Sequence, residues 1–289
     1  MRIYQVAKIC SGQDGAIWNN YLFRFNSKGQ CSVYRISDFE RTTNVDTTAQ
    51  EIGRFSLDRS DIIAPHSNSV MFGTEFYSCE DEFPLLYSNI YNNYAKSENR
   101  LCGLCCVYRI QRVNNLFKST LVQLIEIAFT TDPNHWCSKA GNDVRPYGNF
   151  TIDRERNIYH AFTMLDEAKI TRYFSFSLPK LHDGIFDNVY NVNKVSLEVT
   201  DIISSFDCEY HRYVQGACCH KGKIYSLEGF TNNTDFPPAL RIVDSSTQKQ
   251  DQYIPFADYG LTIEPEFIDF KDDICYYSDN AGNLYIIEL

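Results

Sequence analysis

Short alternating runs of β-formers, a strand motif that recurs down the chain, and a last repeat one strand short predict an all-β protein. The repeat further predicts a five-bladed β-propeller, with six blades as the alternative count. The runs come in order. Tyr21-Leu-Phe-Arg-Phe and Ser32-Val-Tyr-Arg-Ile open the series, followed by Pro84-Leu-Leu-Tyr and Cys105-Cys-Val-Tyr-Arg-Ile. Asn157-Ile-Tyr-His-Ala-Phe and Thr171-Arg-Tyr-Phe-Ser-Phe occupy the middle. Lys223-Ile-Tyr-Ser-Leu-Glu, Ala239-Leu-Arg-Ile-Val, Asp273-Ile-Cys-Tyr-Tyr and Asn283-Leu-Tyr-Ile-Ile complete it. Polar turn segments such as Asn26-Ser-Lys-Gly, Lys221-Gly and Asn280-Ala-Gly-Asn separate them.

The runs group into units of about 50–80 residues, each with four strands. Units start near Gln13, His66, Tyr147, Gln215 and Glu266. The third strand of a unit carries an Arg-Ile signature: Val33-Tyr-Arg-Ile returns as Val107-Tyr-Arg-Ile and more loosely as Ala239-Leu-Arg-Ile. An outer-strand exit also repeats, since Phe55-Ser-Leu-Asp-Arg-Ser-Asp-Ile-Ile is echoed by Val195-Ser-Leu-Glu-Val-Thr-Asp-Ile-Ile. The final unit holds only three runs, and Arg2-Ile-Tyr-Gln-Val-Ala-Lys-Ile has outer-strand character. The N-terminal segment is therefore expected to supply the fourth strand of the last blade, which hides an open sheet edge. Residues 1–289 are expected to form one domain.

Composition narrows the function classes. With 27 Lys+Arg against 37 Asp+Glu among 289 residues, the formal charge is −10. No basic excess is available to replace counterions on a phosphate backbone, so a nucleic-acid partner is not expected. No apolar run is long enough to span a membrane, and the first residues do not read as a signal peptide. Eleven cysteines, an odd number, fit reduced thiols better than a disulfide framework. A cytoplasmic setting follows, in which the Asn149 and Asn232 sequons carry no glycan.

The segments Pro65-His-Ser-Asn-Ser-Val-Met-Phe, Asp81-Glu-Phe-Pro-Leu-Leu-Tyr, Cys106-Val-Tyr-Arg-Ile and Leu121-Val-Gln resemble a group of uncharacterised bacterial β-propeller proteins. The resemblance covers mainly the second unit and implies a fold, with no activity attached. Five-bladed propellers also include arabinanase-like glycosidases and sugar-binding lectins, so fold alone does not choose a function.

Innermost strands of a propeller converge on a channel. The unit starts place Gln13, Asp14, His66, Asn68, Arg145, Tyr147, Asn149, Gln215, Glu264 and Glu266 around its mouth. Such converging polar groups predict non-catalytic recognition of a small polar ligand, a saccharide among the candidates. Two rivals remain. One is a glycoside hydrolase using Asp14 with Glu264 or Glu266. Arabinanase-like enzymes place acids on the inner strands of their first three blades, and His66/Asn68 and Tyr147/Asn149 depart from that pattern here. The other is a protein-interaction scaffold, whose partner the sequence does not specify.

No cofactor and no metal site is expected. Cys102, Cys105 and Cys106 with Cys218, Cys219 and His220 make a zinc set only on paper, because the two groups sit two units apart. His66 and Asn68, two residues apart, share a strand face and read as a structural pair. The acidic groups at Asp269, Asp272, Asp273 and at Glu80, Asp81, Glu82 lack the spacing of a calcium loop and read as solvated faces. Trp18 is expected between blades. Trp136 is expected on a long connection, exposed as a ligand platform, and the insertion at residues 91–100 on a second long loop, functional or mobile.

Overall fold

The computed structural model describes residues 1–39, 48–63, 66–67, 69–89, 104–114, 116–127, 138–140, 143–145, 149–165, 168–209 and 213–289, with backbone alone at 138–140 and 143–145. Five sheets form a five-bladed β-propeller, which sets aside the six-bladed count. Blade 5 contains β1 (Arg2–Lys8) from the chain start. Blade 1 follows as β2 (Gly15–Trp18), β3 (Tyr21–Phe25), β4 (Gln30–Arg35) and β5 (Gly53–Ser56). Blade 2 is β6 (Val70–Phe72), β7 (Leu86–Asn89), β8 (Leu104–Val113) and β9 (Leu116–Ile127). A separate hairpin, β10 (Ser138–Ala140) and β11 (Asp143–Arg145), precedes blade 3.

Blade 3 is β12 (Phe150–Asp153), β13 (Ile158–Leu165), β14 (Ile170–Ser177) and β17 (Ser204–Glu209). Between its last two strands the chain makes a second hairpin, β15 (Ile185–Asp187) and β16 (Val192–Leu197). Blade 4 is β18 (Val214–His220), β19 (Lys223–Glu228), β20 (Ala239–Asp244) and β21 (Lys249–Pro255). Blade 5 is β22 (Pro265–Lys271), β23 (Ile274–Asp279) and β24 (Asn283–Glu288), completed by β1 antiparallel to β24. The N-terminal strand thus closes the last blade as its composition predicts.

The Arg-Ile signature falls on the third strand in each case: β4 leads into Ile36, while β8 and β20 contain the pair. The outer-strand echo does not hold. Val195–Leu197 belongs to β16, which runs parallel to β9 and extends blade 2 to six strands, while blade 3 ends in β17. A short apolar repeat names a buried edge but not the sheet that buries it.

Contacts join β2 to β22 and β6, β12 to β6 and β18, and β18 to β22, so the inner strands close into a ring. Side chains stitch these strands together at backbone N–H groups on the free inner edge of each blade. Asp14 Oδ2 accepts from Val70 N at 2.9 Å, from blade 1 to blade 2. Met71 Sδ takes Ile152 N at 3.3 Å and Thr151 Oγ1 at 2.9 Å, from blade 2 to blade 3. Asp269 Oδ2 accepts from Ile17 N at 2.7 Å, from blade 5 to blade 1. Asp269 is therefore a buried seam residue and not the solvated acid its sequence neighbours suggest. Of the other acids, Asp81 and Glu82 are held by Arg109 and Arg112, and Asp273 meets Lys221 and His220.

Blade-to-blade packing is largely aromatic. Between blades 1 and 2, Phe23 meets Phe55, Phe72, Phe83 and Phe117 edge-on at 5.1–6.3 Å between centroids. Gly53 lets β5 approach this cluster, because an added Cβ would overlap the Phe117 ring. Trp18 packs against Phe72 and Phe76 across the same seam, as expected. Cys105 and Cys106 face opposite sides of blade 2, in separate apolar clusters. Among the described residues no helix is long and apolar enough to cross a membrane.

Candidate functional site

The starts of the inner strands converge at one end of the ring. Gln13 and Asp14 precede β2, His66 precedes β6, Asn149 precedes β12, Gln215 is second in β18, and Glu264 and Glu266 flank the first residue of β22. Two β-bulges shape this end. The register slips between Val214 and Gly216 and between Pro265 and Phe267, which leaves Gln215 and Glu266 as the extra residues of neighbouring strands. A bulge re-aims the side chain it carries. Gly216 permits the approach of the two bulged strands, since a Cβ there would lie 2.5 Å from the Glu266 carbonyl oxygen.

The outer layer of the site is a hydrogen-bonded set. Gln215 Nε2 donates to Glu264 Oε1 at 2.7 Å, and Asn280 Nδ2 donates to Glu264 Oε2 at 3.2 Å. The Glu264 N–H donates to Thr231 Oγ1 at 2.9 Å. Gln13 Nε2 donates to Glu266 Oε1 at 3.1 Å. Glu264, Gln13 and Gln215 are half-buried, so this layer reaches solvent. Burial lifts the Glu264 carboxyl above the ordinary glutamate range, with Asn280 opposing.

Beneath it lies a charged layer. Asp14, Glu266 and Arg24 are at most 1% exposed. Arg24 Nη2 donates to the carbonyls of Gly12 (2.8 Å) and Asp279 (3.1 Å), and its guanidinium lies 5.9 Å from the Phe267 ring centroid. Burial pushes the Asp14 and Glu266 carboxyls well above their usual values, with Arg24 pulling the other way for both. Burial lowers the Arg24 pKa in turn.

This layer is incompletely satisfied. Asp14 Oδ1, Glu266 Oε2, Arg24 Nε and Arg24 Nη1 are buried and meet no hydrogen-bond partner among the described residues. Buried polar atoms without partners are rare and costly. Arg24 also lines a pocket of about 170 Å³ with Ser11, Asn26, Gln30, Ser32 and Arg54. Asp14 Oδ1 lies 3.3 Å from where a Gly216 Cβ would stand on blade 4.

The structure brings together Gln13, Asp14, Gln215, Glu264 and Glu266. His66 is half-buried one residue before Ser67, whose carbonyl accepts the Asp14 N–H at 3.2 Å; burial lowers the His66 pKa. The Asn149 amide instead faces the Met164 sulfur at 4.0 Å. Asn68 and Tyr147 lie outside the described residues, as do the Arg145 side chain, Trp136 and the 91–100 insertion. Sequence reading missed Arg24, Thr231 and Asn280. For Arg24 a signal existed: a lone charge inside the apolar run Tyr21–Phe25, four of whose five residues are buried.

No family model and no curated protein sequence matches the chain. Among solved structures, glutaminyl cyclase of Myxococcus xanthus is 9% identical over 100% of this chain and 96% of that one, with a TM-score of 0.47. Hydrazine synthase of Kuenenia stuttgartiensis is 10% identical over 92% of this chain and 61% of that one, at 0.41. BamB of Moraxella catarrhalis is 7% identical over 99% of this chain and 61% of that one, at 0.35. Likenesses this distant carry no argument about function. The propeller assignment rests on the chain's own strand order.

Proposed function

We propose that the mouth of the channel is a non-catalytic recognition site for a small polar ligand, with saccharides as the first class to test. The observation that carries this reading is the half-exposed layer of Gln13, Gln215 and Glu264 converging at the open end, above the buried and incompletely hydrogen-bonded Asp14, Glu266 and Arg24. Acceptors and donors lie side by side there, which suits hydroxyl groups able to do both. The two bulges support the same reading, because they expend regular pairing to aim Gln215 and Glu266.

A glycosidase draws less support. Asp14 is 0% exposed and one of its oxygens is committed to Val70 N, leaving it poorly placed to meet a glycosidic oxygen or a water. A scaffold has one observation in its favour: Ile185, Phe186 and Val189, on and beside β15, are 82%, 56% and 73% exposed at the edge of the six-stranded sheet. The proposal also places the protein in a bacterial cytoplasm as one domain. Its nine described cysteines, all free thiols, fit that setting.

The test is a thermal-shift screen of the purified chain against sugars, nucleotides and small organic acids. A ligand at 100 times its Kd adds about 2.7 kcal/mol. Under this reading a hit is lost in Glu264→Gln and Gln215→Ala. A hit indifferent to both substitutions, or a screen without any hit, removes the mouth as the site.

A further inference from the structure

At the opposite ends of the inner strands, blades 3 and 4 meet over three side chains that share no sequence motif. Asp153 ends β12, His160 is third in β13, and Cys219 is the penultimate residue of β18. They are 2%, 3% and 8% exposed. One ligand atom from each lies within 4.8 Å of the other two. We propose that Asp153, His160 and Cys219 bind a thiophilic divalent cation, zinc in the first instance, as a staple between the two blades.

The histidine makes the case specific. Its Nδ1 is held 2.8 Å from Ser175 Oγ on β14, which fixes the ring. Its Nε2 is buried and meets no hydrogen-bond partner among the described residues. A hydroxyl that accepts from Nδ1–H leaves the Nε2 lone pair free, the arrangement metal-bound histidines use. Asp153 is held just as firmly. Its Oδ1 accepts from Glu155 N (3.1 Å) and Arg156 N (3.0 Å), and its Oδ2 accepts from Arg156 Nε (2.6 Å). With two lone pairs per oxygen, Oδ2 retains one. Cys219 lies in an apolar cluster separate from that of Cys218.

Spacing and charge both fit a tetrahedral dication. Ligand atoms about 2.0–2.3 Å from zinc stand roughly 3.5 Å from one another, so small rotations within the 4.8 Å limit close the site. Water would take the fourth position. Thiolate and carboxylate bring two negative charges against two positive ones. The Arg156 side chain, 41% exposed, keeps part of its charge in solvent. Binding converts the Cys219 thiol to thiolate and releases its proton to water, so one proton leaves per zinc taken up. The set uses Cys219 of the Cys218-Cys219-His220 run but none of the cysteines at 102–106.

The experiment uses the full chain. Metal content is measured after expression with zinc and desalting, and the zinc K-edge X-ray absorption of the same sample gives the ligand set. The expected result is close to one zinc per chain with a single sulfur at about 2.3 Å and nitrogen or oxygen otherwise. Cobalt(II) added to chelator-treated protein is expected to give a thiolate-to-metal absorption band. That band should be absent from Cys219→Ser and His160→Gln and present in Cys79→Ser, which alters an exposed thiol. Zinc below a tenth of an equivalent, two or more sulfur ligands, or a band that survives both substitutions overturns the proposal. The wild-type absorption data decide even if a variant fails to fold.

Discussion

Replacing Asp269 with alanine tests whether inner-strand carboxylates hold the ring closed between the last blade and the first. The Asp269 carboxylate accepts from Ile17 N across the seam at 2.7 Å and from Phe270 N at 2.8 Å, and Arg154 Nη2 lies 3.3 Å from Oδ2. Alanine leaves the Ile17 N–H buried without an acceptor, which costs about 1–3 kcal/mol. Loss of the second amide bond and of the Arg154 contact raises the total to about 2–5 kcal/mol. Arg154 keeps one partner, since its Nε donates to the Phe72 carbonyl at 2.8 Å. At about 2–4 °C per kcal/mol for chains of 150–250 residues, the melting temperature should fall by roughly 4–20 °C. Asp269→Asn, which retains an acceptor for one amide, should fall between the two. Thr74→Ala, which removes an exposed hydrogen bond to Asn157, should stay within about 0.5 kcal/mol of the parent. Scanning calorimetry measures all three. A fall of less than about 2 °C for Asp269→Ala would refute the seam argument.

Other substitutions probe other levels of the structure. Arg241→Met leaves Glu228, paired at 2.9 Å and nearly inaccessible, without its counter-charge and should cost about 3–5 kcal/mol in a denaturant titration. Adding Glu228→Leu should recover most of that loss, and failure to recover it would mean the pair is not the cause. Because burial lifts the Asp14 pKa above 3.8, the folded chain binds that proton more tightly than the unfolded one. The resulting penalty is absent well below 3.8, grows as pH rises, and is constant above the raised pKa. The melting temperature of Asp14→Asn relative to the parent should therefore climb as pH rises from about 4, whereas a flat difference would contradict the assignment. Gly216→Ala should push the bulged strands apart at the Glu266 carbonyl, and isothermal titration should then find weaker binding of any ligand the mouth accepts.

Much of the fold was legible because strands repeat. Alternation marked the runs, the Arg-Ile pair marked third strands, and the short final unit pointed to β1 as its missing partner. Inner-strand starts followed, and with them Gln13, Asp14, Gln215, Glu264 and Glu266. The failures share a cause: they depend on which blade lies next to which. Val195–Leu197 reads as an exit from its own unit, yet it adds to the blade before it. Asp269 sits in an acidic stretch and turns inward because Ile17, 252 residues away, offers a backbone N–H. Arg24 is a charge in an aromatic strand, made tolerable by carbonyls of Gly12 and Asp279 that no local pattern announces. Asp153, His160 and Cys219 come from three strands of two blades, so no spacing rule for metal ligands brings them together.

The central claim is that the polar end of the channel recognises a small ligand through its half-exposed Gln13, Gln215 and Glu264. The most direct measurement is a crystal structure of the chain with the best compound from the thermal-shift screen. The account predicts ligand density at the mouth, within hydrogen-bond distance of side-chain atoms of Gln13, Gln215 or Glu264. Ligand density elsewhere on the molecule, with only ordered water hydrogen-bonded to those atoms, would contradict it and make the mouth a structural plug.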